Sequence, residues 1–228
     1  INSDGNSLIV GDHNATAGGG NQAGTFFWTS FPTTDQQPYD FFMVDPLGEE
    51  QTAPWLRGDF TDDDRLLMMG DTLHIWDGLP ESPADRPSLS NLGQGNAGGY
   101  DFRWGDYSTV AVVGKRVYIT TNGSTLVVYD SIPTSPTQAP DFVLGATDLY
   151  VDANIENFVM SNPVPVSNGT SLFASSGFDL RLFVWRNLPD ESGAVPDVVY
   201  HFCGYSNEET ASRHQCWDGF APWDNTIH

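Results

Sequence analysis

The chain has 228 residues, 39% of them hydrophobic and many of them rings (7 Trp, 8 Tyr, 14 Phe); closed all-β folds often reach this size as one domain. Thirty acidic residues face nine basic ones, with Lys115 the sole lysine, for a net charge of -21. That balance argues against a nucleic-acid partner, because phosphates would be repelled with no counterion release to gain, and no apolar run reaches the ~18 residues of a membrane-spanning helix.

The first predicted strand in chain order is Leu8 to Val10, after the polar turn Asp4-Gly5-Asn6-Ser7. Gly18-Gly19-Gly20 follows in a loop of Gly and Ala; without a strand-to-helix context it reads as a long hairpin and not as a phosphate cradle. Next comes Phe26-Phe27-Trp28-Thr29-Ser30-Phe31-Pro32, an aromatic strand stopped by a proline that has no N–H for a ladder. Thr33 to Gln37 is a turn-rich linker, and past Pro38 a third strand is predicted over Tyr39 to Val44. The same order then recurs. Leu66 to Met69 precedes His74-Ile75-Trp76-Asp77-Gly78-Leu79-Pro80, a linker to Pro87 and a strand over Ser88 to Leu92. Val117 to Thr120 precedes Val127-Val128-Tyr129-Asp130-Ser131-Ile132-Pro133, a linker to Pro140 and a strand over Asp141 to Leu144. Leu172 to Ala174 precedes Phe183-Val184-Trp185-Arg186-Asn187-Leu188-Pro189, a linker to Pro196 and a strand over Asp197 to Tyr200.

The anchors Trp28, Trp76, Tyr129 and Trp185 lie 48, 53 and 56 residues apart, a period that signals a repeat architecture. Phe26 and Trp28 share one face of their strand, while Phe27 and its equivalents Ile75, Val128 and Val184 take the other. Both faces are apolar, so both are expected to be covered. One more strand upstream of each unit gives about four per repeat, the make-up of a propeller blade. The predicted fold is therefore an all-β, four-bladed β-propeller with units 1–46 plus 217–228, 47–95, 96–148 and 149–204. Asn168-Gly169-Thr170-Ser171-Leu172 matches Asp4-Gly5-Asn6-Ser7-Leu8, yet little chain precedes the latter. Trp223-Asp224-Asn225-Thr226-Ile227-His228 could supply the missing first strand and close the ring. Blades beyond these residues, or a tail that completes a neighbouring subunit, are the alternatives.

The strand ending in Trp-x-x-x-Pro, the Pro-rich turn, and the Pro-Asp-x-Val strand seen in Pro140-Asp141-Phe142-Val143 and Pro196-Asp197-Val198-Val199 resemble the NHL-like β-propeller proteins of secreted or cell-surface origin. The resemblance covers all four repeats and implies a binding platform; a few members of the family are enzymes. Such proteins commonly have six blades, and the Asn-His-Arg turn that names the family is not recognisable before the four anchors.

Catalytic signatures are absent: there is no Gly-x-Ser-x-Gly elbow, Walker loop, Cys-x-x-Cys or His-x-x-x-His pair. His74 stands where Phe26, Val127 and Phe183 stand, so it reads as a packed or channel-facing strand residue and not as a ligand. The carboxylates Asp59, Asp62, Asp63 and Asp64 lack the ordered spacing of a calcium loop and read as a turn between Leu56 and Leu66. No catalytic residue, metal ligand or cofactor is assigned. Cys203 and Cys216 flank one polar loop and read as a disulfide; Asn14, Asn122 and Asn168 head N-glycosylation sequons. Together they point outside the cell. The expected function is a non-catalytic extracellular module binding a protein, a glycan or a neighbouring subunit, with a homo-oligomer or filament among its forms. A hydrolase or lyase sited at the mouth of the propeller channel is the alternative.

Overall fold

A computed structural model of the chain describes residues 5–15, 22–47, 57–70, 72–93, 108–121, 125–150, 160, 162–176 and 181–201. Among them are fourteen strands and no helix. The first sheet holds β1 (Leu8–Ala15), β2 (Gln22–Trp28) and β3 (Phe41–Met43); the second β4 (Arg57–Phe60), β5 (Leu66–Met69) and β6 (Leu73–Trp76). The third holds β7 (Val110–Val113), β8 (Arg116–Thr120), β9 (Leu126–Tyr129) and β10 (Phe142–Leu144); the fourth β11 (Pro163–Ser167), β12 (Leu172–Ser176), β13 (Arg181–Trp185) and β14 (Val198–His201). Each is an antiparallel meander in sequence order, as expected of blades. The first strands of the later sheets lie side by side, β4 against β7 and β7 against β11, as the inner strands of a propeller do. No closed ring forms among the described residues, and the proposed closing segment 217–228 lies outside them.

The repeats coincide in register as well as in sequence. Leu8 faces Trp28, Leu66 faces Trp76, Val117 faces Tyr129 and Leu172 faces Trp185. By that alignment β1 is equivalent to β5, β8 and β12, so among the described residues the first blade has no inner strand and no strand pairs with the second edge of β1. The outer strand expected over Ser88 to Leu92 shrinks to the bridge Ile75–Leu89, because Asn91 adopts a left-handed φ of 58° that turns the chain off the ladder.

The core lies between the blades, not within them. Alternation sends Ile9, Phe27, Phe41 and Met43 of blade 1 against Phe60, Leu66, Met68 and Trp76 of blade 2. The other face of blade 2, Leu67, Met69, Leu73 and Ile75, meets Val117, Ile119, Val127 and Tyr129 of blade 3. Tyr118, Leu126, Val128, Phe142 and Leu144 of blade 3 then meet Leu172, Ala174, Phe183 and Trp185 of blade 4. Gly58 leaves no room for a side chain against its own partner strand: a Cβ there would lie 2.6 Å from the Leu67 carbonyl oxygen and 2.8 Å from Met68 Cγ of β5, with Ile9 Cδ1 of blade 1 at 3.1 Å. The expectation that all four anchor rings are buried needs one correction. Trp76, Tyr129 and Trp185 are buried, but Trp28 is only half-buried, because the face it shares has no blade against it among the described residues.

Candidate functional site

The loop that follows each anchor strand is locked by the repeat itself. Trp28 Nε1 donates to the Gln37 carbonyl (3.3 Å), Trp76 Nε1 to Asp85 (3.3 Å), Tyr129 Oη to Gln138 (3.1 Å) and Trp185 Nε1 to Ala194 (2.9 Å). In each case the acceptor lies nine residues on, so the ring spans the Pro-rich turn and satisfies a carbonyl that would otherwise be partly buried alone. A second lock is a carboxylate eleven residues past an amide. Asp40 accepts from Thr29 N, Asp141 from Asp130 N and Asp197 from Arg186 N, all at 2.7 Å. Blade 2 has Ser88 at this place and reverses the polarity, its hydroxyl lying 3.1 Å from both Asp77 Oδ1 and the Ile75 carbonyl and sharing its one proton between them. The constant offset was readable in the sequence; the capping role was not. Ser7 and Ser171, matched in the sequence, donate alike to the carbonyls of Thr29 (3.3 Å) and Arg186 (2.9 Å).

The ionisable groups that carry chemistry elsewhere are committed to structure here. Asp59 is not part of the acidic turn: it sits in β4, and its Oδ2 accepts the Val112 amide of blade 3 at 2.8 Å. Burial raises its pKa above the ordinary carboxylate value, against the lowering effect of the amides of Val112 and Phe60. Asp62, Asp63 and Asp64 are exposed in the β4–β5 turn. There the Thr61 hydroxyl and then Arg65 hold Asp63 below its usual range, with Arg65 Nη2 at 3.0 Å. No group of three or more His, Cys, Asp or Glu suited to a metal ion occurs among the described residues. Arg116 bridges two blades, pairing with Asp130 (2.6 Å) and donating to the Pro189 carbonyl (2.6 Å).

His74 is buried as expected, facing blade 1 from β6 beside Trp76 (ring centroids 6.1 Å) with Nδ1 3.0 Å from Ser90 Oγ. Burial holds its pKa down to about 4, and the Asp45 carboxylate of blade 1 only partly offsets this. The imidazole is therefore neutral at physiological pH.

Of the residues singled out in the sequence, Asn168 is exposed in its turn, where Oδ1 accepts the amides of Thr170 (3.0 Å) and Ser171 (2.8 Å). Cys203, Cys216 and Asn122 lie outside the described residues, and of Asn14 only its place in β1 is described.

Two sheet faces stand apart. The face of blade 4 turned away from blade 3 carries two rows across its strands, Val166-Phe173-Val184-Val198 and Val164-Ser175-Leu182-Tyr200. The face of blade 1 turned away from blade 2 carries Leu8, Val10, Phe26, Trp28, Tyr39 and Phe42; Phe26 packs on Phe42 (4.7 Å) and Tyr39 (4.8 Å), and Trp28 meets Tyr39 edge-on (6.4 Å). The blade 4 rows contain no charged residue, and on blade 1 the apolar set is bounded by the exposed Asp12, one alternate pair further along β1 opposite Gly24, in a chain of net charge -21. No protein-family model and no curated protein matches this chain.

Proposed function

We propose that the chain is a non-catalytic β-propeller module of an extracellular or cell-surface protein, working by binding or assembly with a protein, a glycan or a neighbouring subunit. The observation that carries this reading is the pair of largely apolar sheet faces, on blades 1 and 4, that no other blade covers among the described residues. Faces of that kind on an otherwise acidic chain mark contact surfaces, and the three internal junctions show how such faces mate. The fate of the ionisable groups supports the same reading. Among the described inner strands the one carboxylate, Asp59, is bonded to a neighbouring blade, and the buried histidine is enclosed between two blades.

A second reading of the assembly rests on the edge of β1 with which no described strand pairs. In it, Trp223 to His228 add the missing inner strand of blade 1 and close a four-bladed ring within one chain, satisfying that edge. The module reading is tested by a crystal structure that places the side chains around the propeller axis. Apolar and small residues are expected there. Several carboxylates converging with a histidine around a bound ion would overturn the reading in favour of a hydrolase or lyase.

A further inference from the structure

The geometry points to a fourth blade junction, made between two copies of this chain: the outer face of blade 4 of one copy seats the outer face of blade 1 of the next. This rests on the module reading and gives its partner a chemistry. The inference comes from register. At the junction of blades 2 and 3, the mating pairs are Leu67–Ile75 and Met69–Leu73 on one side and Val117–Tyr129 and Ile119–Val127 on the other. The residues at the same register positions on the two outer faces are Phe173–Val184 and Ser175–Leu182 on blade 4, and Leu8–Trp28 and Val10–Phe26 on blade 1. The outer faces are thus the two halves of the contact the chain already makes three times, lacking only each other.

Within a single chain these halves do not meet among the described residues. None of the three buried apolar clusters joins blade 4 to blade 1, and the large side chains on the two faces stay open: Val166 is 59% exposed, Tyr200 53%, Val10 42% and Tyr39 40%. A second copy offers the complementary half in the right order of strands. The contact is heterologous, since the two surfaces differ, so each copy retains one free half after binding and the association propagates to a ring or a filament. No strand is exchanged in it. The net charge of -21 on each copy opposes the encounter, so salt should strengthen the association by screening that repulsion.

The experiment is sedimentation velocity of the whole chain from sub-micromolar to near-millimolar concentration, at low and at high sodium chloride. Two variants accompany it: Val166→Glu blocks the blade 4 half and Val10→Glu the blade 1 half. Both positions are exposed in the single chain, so the fold is expected to survive, with circular dichroism as the check. The wild type should associate with rising concentration, and more so at high salt. Each variant alone should remain monomeric, and an equimolar mixture should give a one-to-one dimer that grows no further, since each variant keeps the half the other lost. Association of either single variant at the wild-type level, or a mixture that stays monomeric, would overturn the proposal. A wild type that is monomeric under all conditions would also overturn it and leave closure within the chain; the module reading would survive, because only the axis-lining side chains decide that.

Discussion

Replacing His74 by phenylalanine should remove a specific acid sensitivity from the junction of blades 1 and 2. The imidazole is enclosed with Leu66, Met68 and Trp76 facing blade 1, and its pKa is about 4 in the fold against an ordinary 6.5. Below pH 6.5 the unfolded chain takes up a proton at this residue that the folded chain refuses, so stability falls as the pH drops through the window from 6.5 to about 4 and levels off beneath it. At ~1.4 kcal/mol per pK unit, the loss accumulated at the bottom of the window is about 3 kcal/mol. Phenylalanine is the residue chosen at the equivalent positions Phe26 and Phe183, and it keeps the ring while losing the bond to Ser90. Urea unfolding of both proteins at fixed ionic strength, from neutral pH down to pH 4, gives the difference directly. The many carboxylates titrate in both proteins and cancel; so does Asp59, whose raised pKa favours the fold as pH falls and so has the opposite sign. Near neutrality the variants should lie within about 1 kcal/mol, and near pH 4 the phenylalanine form should be the more stable by about 3 kcal/mol. Two curves that run parallel across the window would refute the reasoning.

Trp185→Ala should cost about 3 to 5 kcal/mol, through the cavity left in the blade 3–4 core and the orphaned Ala194 carbonyl, whereas Trp28→Ala should cost clearly less in dilute protein, where its face is open; equal losses in thermal unfolding would contradict the burial difference. Asp59→Asn should cost less than Asp59→Ala, because it keeps one oxygen for the Val112 amide and removes a buried charge while setting its NH2 against the Phe60 amide, whereas Asp59→Ala strands the Val112 amide and should lose about 1 to 3 kcal/mol; urea midpoints separate the two. Gly58→Ala should destabilise, since its methyl meets the Leu67 carbonyl and Met68 side chain of the paired strand β5, and a neutral result in urea unfolding would mean that β4 and β5 are less tightly paired at this point. Intact-mass measurement with and without reductant should show Cys203 and Cys216 joined, and sugar on at least one of Asn14, Asn122 and Asn168; two free thiols on an unmodified chain would remove the argument for an extracellular location.

The blades were legible in the sequence because their determinants are local. A proline that ends a ladder, an aromatic two positions before the polar turn, and alternation along strands of a few residues all act within one repeat, and they placed β1, β5, β8 and β12 opposite their partners. The aromatic–carbonyl lock was half legible: the anchor-to-proline spacing showed a turn-rich linker of near-constant length, but the acceptor is a backbone oxygen that no residue type announces. Asp59 was misjudged for a related reason. In the sequence it adjoins Asp62, Asp63 and Asp64, so it reads as part of an acidic turn, and only the neighbouring blade, 53 residues away at Val112, gives it a partner. Trp28 shows the same limit from the other side, since its strand repeats the pattern of the buried anchors and its exposure depends on what lies beyond blade 1.

Because every apolar cluster lies between blades, stability is shared by neighbours in the manner of a linear array, and the terminal units are the weak ones. Among the described residues, blades 2 and 3 have both faces covered by another blade and blades 1 and 4 have one each. A partner that covers an outer face therefore does two things at once, adding a contact and raising the stability of the blade it touches, since whatever binds only the folded form shifts the unfolding equilibrium toward it. Local opening should reflect this. In dilute protein, amides of β2 and β13 should exchange faster than those of β5 and β9, because opening a terminal blade breaks a single junction. Raising the concentration should slow exchange in β2 and β13 together while leaving β5 and β9 nearly unchanged, as the outer faces of blades 1 and 4 become occupied. Hydrogen exchange read by mass spectrometry at two concentrations makes the comparison within one sample. Uniform protection across all four blades in dilute protein would show that the terminal faces are already covered in the single chain, and would return the fourth junction to a ring.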